Sequence, residues 1–153
     1  MCLIVDANLA SVVFSDQPSK DFLPLLDWLT NKDGILVVGG QLAKEVDRVG
    51  AARRFVRVLL QAGRARRIPS KQTDNEAKSI ANRCDSNDAH VIALARISGA
   101  RILCSGDKML HRDFTNLALI SNPKGHIYQS VKHERLLRSY GHTEACRRSI
   151  SLS

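Results

Sequence analysis

A chain of 153 residues and 16.9 kDa is long enough for one domain with its own core, and 44% apolar residues exclude a disordered polymer. Only 5% of residues are aromatic, which points to aliphatic packing. No apolar run nears the roughly 20 residues that span a bilayer, so a helical membrane protein is excluded.

The net charge of +8 is unevenly spread. Residues 1–47 carry 3 basic and 7 acidic groups, whereas residues 48–83 carry 10 and 2. Residues 84–118 balance at 4 and 4, and residues 119–153 carry 6 and 2. A polyanionic partner suits the basic middle and tail, although solvated helix faces account for charge alone equally well. The N-terminus, Met-Cys-Leu-Ile-Val-Asp, has neither the basic start nor the long apolar region of a signal peptide, so a cytoplasmic location is the expectation. Cys2, Cys84, Cys104 and Cys146 show no C-x-x-C spacing and no zinc-like pairing with histidine. They are expected to be reduced, with Cys2 and Cys104 behaving as small hydrophobes in buried strands.

In chain order, Cys2-Leu3-Ile4-Val5 is an apolar run without alternation, as in a parallel strand covered on both faces, and it ends at Asp6. Residues 21–31 read as a helix, with Pro24 in its first turn. Asp33-Gly34 is a turn and Ile35-Leu36-Val37-Val38 a second buried strand. Gly39-Gly40 leads into a helix that contains Glu45; the phosphate-loop patterns G-x-x-x-x-G-K-[ST] and G-x-G-x-x-G are absent, so no nucleotide cradle is expected there. Helix continues or restarts near Gly50 and runs to Gln61, with Arg53, Arg54 and Arg57 spaced to share one side. Ala65-Arg66-Arg67-Ile68 is a weak third strand ended by Pro69. Thr73-Asp74-Asn75-Glu76 matches a capping box, which predicts a helix from 73 to about 83. Asp74 and Glu76 then have structural roles.

The most informative stretch is Ser86 to Asp107. Ser86 and Asn87 are favourable caps for a helix that runs to Ser98 and stops at Gly99, with Asp88 in its first turn. Arg101-Ile102-Leu103-Cys104 is the fourth strand, and Asp107 lies just past its carboxyl end. Residues 108–114 form a short helix or turn, 117–120 a fifth strand, 127–128 an edge strand and 132–140 a last helix. Residues 1–141 therefore form one domain, followed by a basic, flexible tail over 142–153. Alternating strands and helices predict an α/β layered fold around a parallel sheet of about five strands.

Four acids fall where such a sheet binds ligands, at the carboxyl ends of its strands: Asp6, Glu45, Asp88 and Asp107. Taken singly, each has an ordinary structural explanation as a cap, a turn residue or a solvated helix acid. Together their charges repel unless a cation neutralises them. Oxygen-only ligands suit Mg²⁺ or Mn²⁺, and a metal there lowers the pKa of bound water and offsets charge on a phosphodiester.

The segments Leu3-Ile4-Val5-Asp6-Ala7-Asn8, Glu45, Asn87-Asp88-Ala89-His90-Val91-Ile92-Ala93-Leu94-Ala95 and Cys104-Ser105-Gly106-Asp107 resemble, in order and spacing, the PIN-domain ribonucleases, many of them toxins of the VapC-like group. The similarity runs from Met1 to Phe114. It implies a three-layer PIN-like fold, a Mg²⁺ or Mn²⁺ site and cleavage of single-stranded RNA. Metal binding and catalysis carry over to Asp6, Glu45, Asp88 and Asp107, with Asn8 and Ser105 supporting them by hydrogen bonds. The resemblance also implies an antitoxin protein as a possible partner, and homodimers are common among similar proteins. Arg53, Arg54, Arg57 and Lys108 are the candidate nucleic-acid contacts. His90 is expected to turn away from the site and Asp113 to be an exposed helix-end acid. Two other classes remain open. One is a non-catalytic RNA- or protein-binding module using Arg53, Arg54 and Arg57. The other is a phospho-accepting signalling domain, which the order of the acids fits less well.

Overall fold

The computed structural model describes residues 2–139 and Cys146. Its strands are β1 (Cys2–Val5), β2 (Ile35–Gly39), β3 (Ala65–Ile68), β4 (Ile102–Cys104) and β5 (His126–Ile127). All neighbours pair in parallel, in the order β3-β2-β1-β4-β5. The flanking helices are α1 (Ala7–Val13), α2 (Leu23–Asn31), α3 (Gly40–Asp47), α4 (Gly50–Gln61), α5 (Ser70–Ile80), α6 (Ala89–Ser98), α7 (Lys108–Thr115) and α8 (Leu136–Ser139). Short 3₁₀ turns occupy Lys20–Phe22, Ala81–Arg83 and Val131–His133. The architecture is the α/β fold with a five-stranded parallel sheet that the alternating pattern predicts.

β1 is the centre of the sheet because nothing polar interrupts it. Cys2, Leu3 and Ile4 are wholly buried and Val5 nearly so. Burying a side chain such as Leu3 or Ile4 contributes roughly 1.5–3 kcal/mol. On one side Leu3 pairs with Leu36, and on the other Val5 pairs with Cys104. The chain builds β1, β2 and β3 in one direction, then returns across β1 to lay down β4 and β5. This reversal puts a switch point between the carboxyl ends of β1 and β4, where open α/β sheets leave a crevice.

The glycine pair after β2 serves packing. A side chain on Gly39 would meet the Ile68 carbonyl oxygen at 2.8 Å and Leu94 Cδ1 at 3.1 Å, so β3 and α6 close on bare backbone. Gly40 has φ +52°, and a Cβ there would press on Thr73 at 3.0 Å, which lets α5 come against the start of α3. The helix after Gly40 ends at Asp47 and restarts at Gly50, and α6 closes on Gly99 in the left-handed conformation with φ 79°.

Several sequence expectations are corrected. α5 begins at Ser70, immediately after Pro69, so Thr73 is not its cap; the Thr73 hydroxyl bonds back to the Pro69 carbonyl within the first turn. Glu76 instead pairs with Arg96 at 2.7 Å, which joins α5 to α6. Residues 117–120 form turns, because the fifth strand is His126–Ile127, aligned beside Ile102 and Leu103. The predicted helix over 132–140 is a 3₁₀ turn followed by the single turn of α8, and residue 140 lies outside the described residues. The predicted tail from 142 also lies outside them apart from Cys146.

Cys146 overturns the expectation of four reduced thiols. It is wholly buried and disulfide-bonded to Cys2, with a Cα–Cα distance of 6.0 Å. The bond ties the start of the central strand to a position 144 residues later, while Cys84 and Cys104 remain free. Burial pushes the Cys104 thiol up to about 12, so it stays protonated and unreactive. The air-oxidised, denatured protein is expected to show two titratable thiols, rising to four after reduction. Closing so long a loop stabilises a fold by on the order of 2–5 kcal/mol, so Cys146→Ser should lower the urea midpoint under oxidising conditions and leave it unchanged under reducing ones.

Candidate active site

The candidate site lies at the switch point. Asp6 follows β1 directly, and its backbone N–H extends the ladder by donating to the Cys104 carbonyl at 2.9 Å. The side chain is 4% exposed, with Oδ1 accepting from the Ala7 N–H at 2.8 Å and Oδ2 from the Ser105 hydroxyl at 2.9 Å. Ser105, itself fully buried, also accepts the Asp107 N–H at 3.1 Å. Asn8 Oδ1 accepts the Gly106 N–H at 3.4 Å. One hydroxyl therefore fixes the first acid while holding the backbone of the last.

Asp107 is the N-cap of α7, where Oδ1 accepts the N–H groups of Met109 at 2.9 Å and Leu110 at 3.3 Å. One turn on, His111 reaches back with Nε2 2.5 Å from the Ser105 carbonyl oxygen. Because its partner can only accept, this nitrogen carries the proton.

Asp88 occupies the N-cap position of α6, where the sequence pattern put it inside the first turn, and its carboxylate makes no capping bond. Its pKa is shifted upward, first by burial and then by the charges of Asp6, Asp107 and Glu45, with His90 opposing them. Burial likewise raises Asp6; the hydrogen bonds from Ser105 and Ala7 work against that shift, and Glu45 adds to it. Acids from four separate chain segments are thus coupled here: the charges of Asp6, Asp107 and Glu45 bear on Asp88, and that of Glu45 on Asp6.

Glu45 lies in α3 and accepts from Gln41 Nε2 at 2.9 Å. His90 Nε2 is 3.3 Å from Glu45 Oε1, although the two are not aligned as a hydrogen bond. This corrects the expectation that His90 turns away. Helical spacing turns it from Asp88, and that same rotation aims it at α3, which the sequence could not place. Among the described residues, no three carboxylate, imidazole or thiolate groups stand together closely enough to chelate a metal ion as their side chains are placed. Asp107 is occupied in capping α7, and Glu45 is drawn to Gln41 and His90.

Asp113 is the residue that sequence reasoning misplaced. Rather than exposed, it is 1% accessible and accepts three bonds: Asp85 N–H at 2.8 Å, Ser86 N–H at 2.9 Å and Ser86 Oγ–H at 2.6 Å. Ser86 Oγ in turn accepts the Asp88 N–H at 3.2 Å. α7 therefore presents Asp107 at one end and, through Asp113, holds the loop that delivers Asp88. The helical spacing of Leu110, Asp113 and Phe114, with apolar neighbours on the same face, was the available signal.

The predicted basic contacts do not share one side. Arg53 and Arg57 line a cleft with Asp47 and Arg67, where Arg67 and Asp47 approach to 4.0 Å. Arg54 lines a different, partly apolar groove beside Phe14, Phe55 and Val58. Lys108 is exposed at the first position of α7, next to Asp107. No helix among the described residues is long and apolar enough to cross a membrane. Compared with protein-family models, curated proteins and solved structures, the chain matches none of them.

Two outcomes follow from this geometry. Asp113→Asn turns one of the two accepting oxygens into an amide donor that faces Asp85 N–H or the two Ser86 donors, and should cost about 1–3 kcal/mol in urea unfolding. Asp6 and Asp88 bind protons more tightly folded than unfolded, so their contribution is full below the ordinary carboxylate range and is lost as pH rises through their raised values. In metal-free buffer, the wild-type melting temperature should therefore fall relative to an Asp6→Asn/Asp88→Asn variant as pH rises from about 4 to neutrality.

Proposed function

We infer that this chain is a metal-dependent endoribonuclease of the PIN-like kind, hydrolysing phosphodiester bonds in single-stranded RNA. The observation that carries this reading is the placement of Asp6, Asp88 and Asp107 at the N-caps of α1, α6 and α7 along the sheet's carboxyl edge, where the charges of Asp6, Asp107 and Glu45 bear on Asp88. A fold built for stability alone has no reason to crowd carboxylates whose repulsion it must offset, and such crowding is characteristic of functional sites.

The donor set fits a hard divalent cation in its chemistry, being oxygen-only with two carboxyl groups raised toward protonation. Asp6 and Asp88 would be the principal ligands, with Asp107 and Glu45 completing the set once their side chains leave their present partners. Mg²⁺ or Mn²⁺ supplies a lowered pKa for water and compensation of phosphodiester charge. The protein's own groups do the rest. Ser105 fixes the orientation of Asp6, Asn8 and Ser105 hold the 106–107 backbone, and His111 pins the Ser105 carbonyl. Lys108 flanks Asp107, where it can meet a phosphate. The reading extends to a toxin working with an antitoxin protein, for which a neighbouring small reading frame in the genome is the test.

One observation favours a second reading. Among the described residues no three metal-ligating groups stand at chelating distance, which is what a non-catalytic RNA- or protein-binding module would show. Calorimetric titration with Mn²⁺ separates the two, since a module without a metal site gives no heat of binding.

The nuclease reading is tested by incubating single-stranded RNA oligonucleotides with Mn²⁺, Mg²⁺ or EDTA. Cleavage should need the metal and drop at least about 100-fold in Asp6→Asn and in Asp107→Asn, the scale on which the loss of a charge-stabilising group acts. Equal cleavage by wild type and Asp6→Asn would remove the assignment.

A further inference from the structure

Beside Glu45 lies a cleft of about 570 Å³ lined by Gln41, Lys44, Glu45, Arg48 and Asp74. α3 and α5 form its walls, and their closeness follows from Gly40, whose missing side chain leaves room for Thr73 and so brings Asp74 to the rim. Gln41, Lys44, Glu45 and Arg48 recur at helical spacing, so one face of α3 carries them all into the same opening. That face begins in the acid site, because Glu45 belongs to both.

Lys44 and Arg48 are exposed and take part in no ion pair among the described residues. They sit four residues apart, about 6 Å along the helix axis. Cations in the last turn of a helix are favoured by its dipole, which accounts for their place on α3. The dipole does not account for their convergence on a cleft that shares an acid with the candidate active site. The arginines Arg53, Arg54 and Arg57, favoured from sequence, line two other clefts.

We propose that the Lys44–Arg48 cleft is a subsite that holds the backbone phosphates of the RNA strand flanking the scissile bond. The proposal rests on the nuclease reading and adds the residues that fix the strand's path: from the acids at the switch point, over Glu45, along α3. Lys44 and Arg48 act as phosphate donors at neighbouring positions. Gln41 gives its amide N–H to Glu45 at the border between cleft and acid site. Asp74 is the one acid besides Glu45 in the lining, so it weakens the hold on a polyanion and favours release.

The test measures binding of a fluorescent single-stranded RNA by anisotropy in EDTA, over a range of salt concentrations, so that no chemistry is involved. Each phosphate contact adds about 0.7 to the slope of log affinity against log salt for a single strand. Lys44→Ala/Arg48→Ala is expected to lower the slope by about 1.4 and the low-salt affinity by about tenfold or more. Asp74→Asn is expected to tighten binding. A Lys32→Gln/Lys124→Gln variant removes the same charge at the amino edge of the sheet and should change the slope far less. A merely structural role for Lys44 and Arg48 would lower the melting temperature and leave the slope intact, which overturns the proposal. Equal loss in the amino-edge variant, or no RNA binding by wild type at low salt, also overturns it. The nuclease reading fails separately: RNA binding that depends on Lys44 and Arg48 without metal-dependent cleavage would remove the reaction and leave the subsite.

Discussion

The site depends on the parallel pairing of β1 with β4. Val5 and Cys104 align, so the two strands end level and Asp6 and Ser105 leave the sheet side by side. A 2.9 Å hydrogen bond between their side chains joins residues that are 99 positions apart in sequence. Were β4 displaced by one residue, its side chains would change faces and Ser105 would turn from Asp6. The burial of β1 on both faces prevents such slippage, because a shift would expose Leu3 and Ile4 or bury a polar neighbour.

α7 braces the same edge from outside. Asp107 caps it, His111 returns to the Ser105 carbonyl, and Asp113 captures the loop before Asp88. These bonds link the acids at β1, β4 and α6 through one eight-residue helix. The carboxylate of Asp113, saturated by three donors, is a fixed part of the frame. Asp88, at the N-cap position of α6, makes no capping bond with its side chain. The fully buried Asp113 and the half-buried Asp88 thus differ in their surroundings, the first enclosed by donors and the second not capping its helix.

Electrostatically, the molecule separates its charges. The carboxyl edge of the sheet gathers acids, of which Asp6 and Asp88 are raised first by burial and then by neighbouring carboxylates, and the neighbouring face of α3 offers Lys44 and Arg48, which take part in no ion pair among the described residues. Cations beside an acid cluster give that edge of the molecule both signs of charge within a short distance. The buried Arg101 is the contrasting case. Its guanidinium is satisfied by the carbonyls of Pro123, Ala95 and Ala100, so it closes the end of α6 and joins the 121–123 turn.

Much of this was legible in the chain itself. The uninterrupted apolar runs at 2–5, 35–38 and 102–104 determined a buried parallel sheet, because no polar residue offers those strands a solvated face. Gly99 determined the end of α6, since few residues adopt its left-handed backbone. Asp6, Asp88 and Asp107 could be singled out because each directly follows a strand or opens a helix, and Glu45 because it lies about one turn into the helix after β2, relations that survive without knowledge of the fold. Tertiary structure decided the rest. Whether Thr73 or Ser70 opened α5, whether 117–120 or 126–127 supplied the fifth strand, and that Cys2 meets Cys146 all depend on which distant segment competes for the same hydrogen bonds or space. His90 and Asp113 were misread for one reason: a helix pattern says which residues share a face, but only packing says what that face meets.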